Sequence, residues 1–312
     1  MAQLPVVFVV FNRPEHTEQT FAAIRRQRPP VLFVVADGPR SEVASDAERC
    51  AKVRKIVGRV DWPCEVHRNY SDVNLGLKKR ISSGLDWVFR KVESAAILED
   101  DCLAHPDFFR FCEVLLMRYR GDERVAVVTG NNFQAGRWRG QAAYYFSKYN
   151  HCWGWATWRR AWCKYQGNLC FWPAFRDSSR WRELASSADE RAYWNEIFDR
   201  VYAGDIESWA YPWTASVWFH GGLTATPNVN LVSNIGFGVD STHTTSTGSP
   251  LSAVPTRDIG RITHPASIAA DTLADQYTFA TVYAGRRYRR SRAAIRFLRL
   301  AMNRLRGMRR PG

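Results

Sequence analysis

Ala95-Ala96-Ile97-Leu98-Glu99-Asp100-Asp101-Cys102-Leu103 runs an apolar strand straight into three consecutive acids. Adjacent carboxylates repel one another, so a fold tolerates three at a strand's end chiefly where a cation sits. A solvated acidic turn is the other reading of the same triplet. The flank favours a site, because His105-Pro106-Asp107 follows as a helix start with Pro106 suited to the first turn. The acids then mark a strand-to-helix corner, and open α/β sheets bind ligands at the carboxyl ends of their strands.

The same alternation extends to both sides. Residues 6–11 form a valine-rich run, the pattern of a strand buried on both faces, and Asn12-Arg13-Pro14 opens a helix through Thr20, Phe21 and Ile24. Residues 31–36 repeat the pattern and end at Asp37-Gly38-Pro39. A third strand at 64–67 precedes Asn74-Leu75-Gly76-Leu77 and a helix carrying Ile81, Leu85, Val88 and Phe89. After the fourth strand, 95–98, a helix with Phe108, Cys112, Leu115 and Tyr119 on one side leads to a strand at 125–129. Strands alternating with helices predict an α/β fold with a mostly parallel sheet and right-handed crossovers. Beyond residue 130 tryptophans crowd together and the alternation fades. Residues 241–253 read as a flexible connector, and 254–285 as structure that the pattern predicts only weakly.

Composition bounds the class. The chain of 312 residues, 46% hydrophobic and 13% aromatic, suits one large α/β domain or two modest ones. It has no long apolar run and no charged leader before Leu4-Pro5, so neither a membrane span nor export is expected. The seven cysteines are odd in number and include no Cys-x-x-Cys pair, and they read as reduced core residues of a cytoplasmic protein. Net charge is +14, but residues 286–312 hold 11 arginines and no acid, leaving +3 for the rest. Within that tail Ile295, Leu298, Met302 and Leu305 recur at helical spacing, which describes a basic amphipathic helix suited to an anionic membrane surface. A nucleic-acid arm and a helix packed on its own domain are the alternatives. No nucleic-acid-binding motif accompanies the charge, and no nucleic-acid partner is expected.

The ordered motifs Phe11-Asn12-Arg13-Pro14, Ala36-Asp37-Gly38-Pro39-Arg40, Asn74-Leu75-Gly76, Leu98-Glu99-Asp100-Asp101, Trp153-Gly154-Trp155-Ala156-Thr157-Trp158 and Asn230-Leu231-Val232-Ser233-Asn234-Ile235-Gly236-Phe237-Gly238 resemble a bacterial group of GT-A-fold nucleotide-sugar glycosyltransferases. That group is distantly similar to the N-acetylglucosaminyltransferase I type, whose metal motif is also Glu-Asp-Asp. The resemblance spans residues 5–245 and is specific for the fold rather than for the sugar. It implies a Rossmann-like sheet flanked by helices, with residues 1–130 binding the nucleotide-sugar and 131–245 binding the acceptor and carrying catalysis. Residues 246–285 would be a connector and 286–312 the basic tail.

The resemblance further implies transfer of a hexosyl or N-acetylhexosaminyl group, with inversion, from a nucleotide diphosphate donor, a UDP-sugar being favoured. The acceptor would be a cell-surface glycan precursor or a lipid-linked glycan at the inner face of the cell membrane. Mn2+ or Mg2+ would bridge the diphosphate oxygens as a Lewis acid. Asp101 matches the metal ligand, and Glu99 and Asp100 would hold the ribose or donor sugar and support the metal shell. Phe11, Asn12 and Arg13 would line the nucleotide pocket. Asp37 would face the base or ribose, or simply shape its own turn. Asn74 belongs to the donor side, and Lys78 and Arg80 beyond it would meet the diphosphate, or stand solvated on their helix. Trp153, Gly154 and Trp155 would line the acceptor pocket, or belong to the core. Glu207 is the candidate base with Asp205 in reserve, unless it is an ordinary surface carboxylate. His243 would return to the metal, or be an idle loop histidine. A sugar-phosphate nucleotidyltransferase is the rival enzyme, but it opens with a glycine-rich loop that Phe11-Asn12-Arg13-Pro14 lacks. A non-catalytic carbohydrate-binding protein would need only the tryptophans.

Overall fold

The computed structural model describes residues 4–237 and 251–283. Its first half alternates as expected: β1 (Val6–Val10), α1 (Pro14–Gln27), β2 (Val31–Ala36), α2 (Asp46–Val57), β3 (Glu65–Tyr70), α3 (Leu77–Phe89), β4 (Ser94–Glu99), β5 (Cys102–Ala104), α4 (Pro106–Arg118) and β6 (Val125–Thr129). The second half adds β7 (Tyr144–Ser147), β8 (Trp155–Trp158), α5 (Arg159–Trp162), α6 (Trp172–Arg176), α7 (Ser179–Leu184), α8 (Ala188–Ala203), α9 (Ala210–Phe219), β9 (Leu223–Pro227), β10 (Val232–Asn234) and α10 (Thr272–Thr281).

One eight-stranded sheet runs β3-β2-β1-β4-β8-β6-β9-β7, and β10 pairs with β5 in a small second sheet. Strands β1 to β4 are mutually parallel, β8 lies antiparallel between β4 and β6, and β7 closes the far edge antiparallel to β9. Valine-rich strands suit this position because helices cover both faces of the sheet. Alternate residues accordingly enter opposite cores: Val6, Phe8 and Val10 one, Val7 and Val9 the other. The register Val9↔Glu99 and Val10↔Ala36 brings the corners after β1, β2 and β4 to one edge. Strand order reverses between β1 and β4, the switch point where such sheets open a crevice.

Several expectations change. β1 stops at Val10, β3 extends to Tyr70, and the three-residue β5 separates the acids from α4, which His105 caps by accepting from the Asp107 amide at 3.2 Å. The chain beyond residue 130 shares the sheet of the first half, since β8 sits between β4 and β6. Residues 251–283 are not a loose connector: the Arg257 amide donates to Asn230, Ile259 to the Asp107 carboxylate and Ala143 to Thr263, and α10 docks by its buried Ala274, Thr278 and Phe279. All seven cysteines are free thiols, but only Cys50, Cys102 and Cys112 are buried, while Cys163 and Cys170 are exposed. His243 and the tail 286–312 lie outside the described residues. No described helix is long and apolar enough to cross a membrane.

Candidate active site at the carboxyl edge of the sheet

Because β1 and β4 are neighbours, the residue that starts α1 meets the acids that end β4. Arg13 forks across two of them: Nη1 donates to Asp101 Oδ2 at 3.0 Å and Nη2 donates to Asp100 Oδ1. Thr20 donates its hydroxyl to the Asp100 carbonyl at 2.8 Å and ties α1 to the corner. The cation inferred from sequence is thus supplied first by the chain itself. One guanidinium does not balance three carboxylates. Burial pushes Glu99 upward, with repulsion from Asp101 and Asp100 adding to it. Asp100 is also raised, by burial against the pull of Arg13. Burial opposes the Arg13 charge, yet Asp100, Asp101 and Glu99 together hold its pKa above the ordinary value. The Asp100 Oδ2 atom is buried without a hydrogen-bond partner.

The three acids divide between two cavities. Arg13 and Glu99 face both, Asp100 faces one of about 590 Å³, and Asp101 the other, of about 470 Å³. The first cavity lies over the ends of β1 and β2. Asp37 is buried there and accepts from the Gly38 and Leu75 amides, each at 2.9 Å, and from Asn74 Nδ2 at 3.2 Å. It shapes its own turn and also lines the cavity, and burial raises its pKa. Asn74 is spent on this clamp, donating also to the Gly38 carbonyl at 3.0 Å. Phe11 and Asn12 line the opposite wall with Arg40 and Asp46. Asp46, 1% exposed, accepts from Asn12 Nδ2 at 2.7 Å and Arg40 Nε at 2.6 Å, and Arg40 holds its pKa down to about 2. Arg49 Nε braces the Asn12 carbonyl at 2.7 Å. Sequence reasoning missed Asp46 and Arg49, because Ser45-Asp46 reads as an ordinary helix start. Buried Arg80 reaches this cavity, whereas Lys78 is half-buried outside both.

The second cavity has aromatic walls, including Trp153, Trp209, Tyr211 and Tyr283. Glu207 is exposed in the loop between α8 and α9 and stands across Gly76, its Oε1 3.5 Å from where a Cβ on that glycine would lie. Asp205 is exposed and faces neither cavity. Trp153 lines the wall, edge-on to Phe237 at 5.5 Å. Trp155 does not: it is 1% exposed in central strand β8, stacked on Trp209 at 5.7 Å. Gly154, at φ +74°, is approached by Val232 rather than by open space, and a Cβ there would lie 2.6 Å from a Val232 methyl. Gly236 is required for a related reason, since a Cβ on it would overlap the Asp101 carboxylate. Sequence reasoning also missed Asn150. Its side chain lines the cavity, is 6% exposed, and leaves Oδ1 without a partner among the described residues. Nothing in Tyr149-Asn150-His151 signals that role.

The donor set fits a hard divalent cation of the Mn2+ or Mg2+ kind. Such ions are held by one or two carboxylates plus substrate phosphates, so a cage of converging acids is not required. Asp101 is partly exposed to the cavity and Glu99 also lines it, with Asp101 Oδ2 held by Arg13 at 3.0 Å. His105, Asp107 and Asp258 also bring ligand atoms within 4.8 Å of one another. That group lies at the start of α4, where Arg110 and the Ile259 amide each engage one Asp107 oxygen, as Arg13 and the Cys102 thiol engage the two of Asp101.

No protein-family model matches this chain, and no curated protein matches it. Among solved structures, it is similar to a mannosyltransferase from Pyrobaculum calidifontis in complex with GDP-Man and Mn2+, at 14% identity over 51% of this chain with a TM-score of 0.33. The match spans 46% of that mannosyltransferase, less than half its length. An inositol-1-phosphate CTP transferase from T. maritima is similar at 10% identity over 72% of this chain and 86% of its own, with a TM-score of 0.35. A UDP-glucose pyrophosphorylase complexed with UDP-glucose is similar at 10% identity over 52% of this chain and 78% of its own, with a TM-score of 0.30. No residue's role is carried over from these likenesses.

Proposed function

We propose that this chain is a divalent-cation-dependent glycosyltransferase that moves a sugar from a nucleotide diphosphate donor, a UDP-sugar being favoured, to a glycan or lipid-linked acceptor. The carrying observation is the wall that two cavities share: Glu99, Asp100 and Asp101, braced by Arg13, separate a polar cavity from an aromatic-walled one that Glu207 overlooks. The nucleoside occupies the polar cavity, between Phe11, Asn12 and Asp37. The diphosphate lies at the wall, and the transferred sugar and the acceptor meet in the aromatic cavity, with Trp153 offering a ring face.

A bound Mn2+ or Mg2+ would act as a Lewis acid on the departing diphosphate. Asp101 would hold it, with His243, outside the described residues, proposed as a second ligand. Arg13, already fixed by Asp100, presents a guanidinium beside the leaving group and meets its growing charge without having to be ordered. Glu207 accepts the proton of the attacking hydroxyl, and attack from the side opposite the diphosphate inverts the anomeric carbon. The reaction is placed in the cytoplasm at the inner face of the membrane, the tail 286–312 resting on anionic lipid.

The test is product analysis with Mn2+ and a panel of UDP-, GDP-, CMP- and dTDP-sugars. Release of nucleoside diphosphate from one donor is expected. Pyrophosphate release from a nucleoside triphosphate and a sugar 1-phosphate would instead establish nucleotidyl transfer. Carbohydrate binding without nucleotide affinity would leave a binding protein.

A further inference from the structure

Trp138 is 56% exposed in the loop that joins β6 to β7, between Arg137 and Arg139. This loop is firmly mounted on α10. Arg137 Nη1 donates to the Tyr277 hydroxyl at 2.8 Å, and the Arg137 and Arg139 guanidiniums lie 4.3 Å and 5.9 Å from the centre of the Tyr277 ring. Gln134, at the loop's base, accepts from Arg139 Nε at 2.9 Å and donates to the Thr278 hydroxyl at 2.9 Å. Leu273, one helical turn before Tyr277, is 66% exposed. Neither arginine forms an ion pair with a carboxylate among the described residues.

We propose that this loop and the outer side of α10 form a docking face for an anionic lipid bilayer. A lone exposed apolar side chain is ordinary. Here an exposed indole lies in sequence between two guanidiniums without an ion pair, both held against Tyr277, and an exposed leucine lies one helical turn from that tyrosine, a combination that partitions to a headgroup interface. Positive charge also follows α10 in the sequence: residues 286–312, outside the described residues, hold 11 arginines and no acid. Arginine beside tryptophan also suits single-stranded RNA. The leucine and the absence of any nucleic-acid-binding motif favour lipid. Val282 and Tyr283, just past α10, line the aromatic-walled cavity, so the end of the helix joins this face to that cavity. The inference extends the membrane role proposed for the tail and stands independently of the transfer chemistry.

Co-sedimentation of the full chain with vesicles of phosphatidylcholine, or of equal parts phosphatidylcholine and phosphatidylglycerol, tests it. The wild type is expected to bind the anionic vesicles. Trp138→Ala combined with Leu273→Ser weakens that binding roughly tenfold without changing thermal stability, and removing either arginine weakens it about fivefold. Brominated phospholipid should quench wild-type fluorescence more than that of Trp138→Phe. If the Trp138/Leu273 variant binds as the wild type does, while glutamine substitutions in 286–312 abolish binding, the tail acts alone and the face is refuted. Failure of the wild type to bind at all refutes tail and face together. RNA binding that anionic vesicles do not displace overturns the lipid assignment, and in each case donor turnover reports separately on glycosyl transfer.

Discussion

The two cavities that share the acid corner are built in opposite ways. The polar cavity takes its lining from the stretch between Val9 and Asp100, and its polar groups are locked to one another: Asp37 to Asn74, Asp46 to Arg40 and Asn12. The aromatic-walled cavity gathers residues from Arg13 to Tyr283 and leaves Asn150 Oδ1 without a partner among the described residues and Glu207 exposed. A preorganised pocket suits a constant group such as a nucleoside, while unmet polar groups await a partner that completes them.

The sharpest way to break this contrast is at Glu207. Glu207→Gln is expected to lower kcat by about 10²–10⁴-fold, the usual worth of a general base, with nucleotide affinity unchanged. Full activity would remove Glu207 from the role of base, and Asp205, which faces neither cavity, could not replace it. Trp155→Ala is expected to cost about 3–5 kcal/mol in denaturant unfolding, as for a large core aromatic. A selective loss of acceptor affinity at unchanged stability would return Trp155 to the cavity wall.

Asn150→Leu sharpens the idea of an unfinished cavity. Removing a buried carboxamide whose oxygen lacks a partner among the described residues should stabilise the free protein by about 1–3 kcal/mol in a thermal melt while weakening sugar binding. Destabilisation would mean that Asn150 already has its partner. The smallest effect concerns pH. Burial holds His151 down to about 3, below its ordinary value of 6.5, so the unfolded chain binds the proton first. Its contribution to stability is complete above the unfolded pKa and falls as pH drops through that window, by about 1.4 kcal/mol per unit. Lowering the pH from 7 to 5 should therefore cost the wild type more stability than it costs His151→Gln.

The polar side was far more legible in the sequence than the aromatic side, for physical reasons. Strands buried on both faces write themselves as valine runs, and β2 falls where its run lies, at Val31–Ala36. Corner residues follow from strand ends, so Asp37 and the acids could be placed. The partner of those acids could not, because only the register Val9↔Glu99 brings Arg13 to them. The aromatic cavity depends on long-range packing. Trp153-Gly154-Trp155-Ala156-Thr157-Trp158 reads as a sugar-binding loop until β8 is seen to enter the sheet antiparallel, sending Trp155 and Trp158 into opposite cores and leaving only Trp153 at the wall. β5 is too short, at three residues, to show a period.

Calorimetric titration of UDP into the wild type and Asp101→Ala, each with and without Mn2+, tests the acid corner most directly. Mn2+ is expected to strengthen nucleotide binding to the wild type and to have no effect on the variant, whose circular dichroism stays native. Equal enhancement by Mn2+ in both proteins would show that the cation is held elsewhere and contradict the assignment of Asp101 to the diphosphate-bound metal.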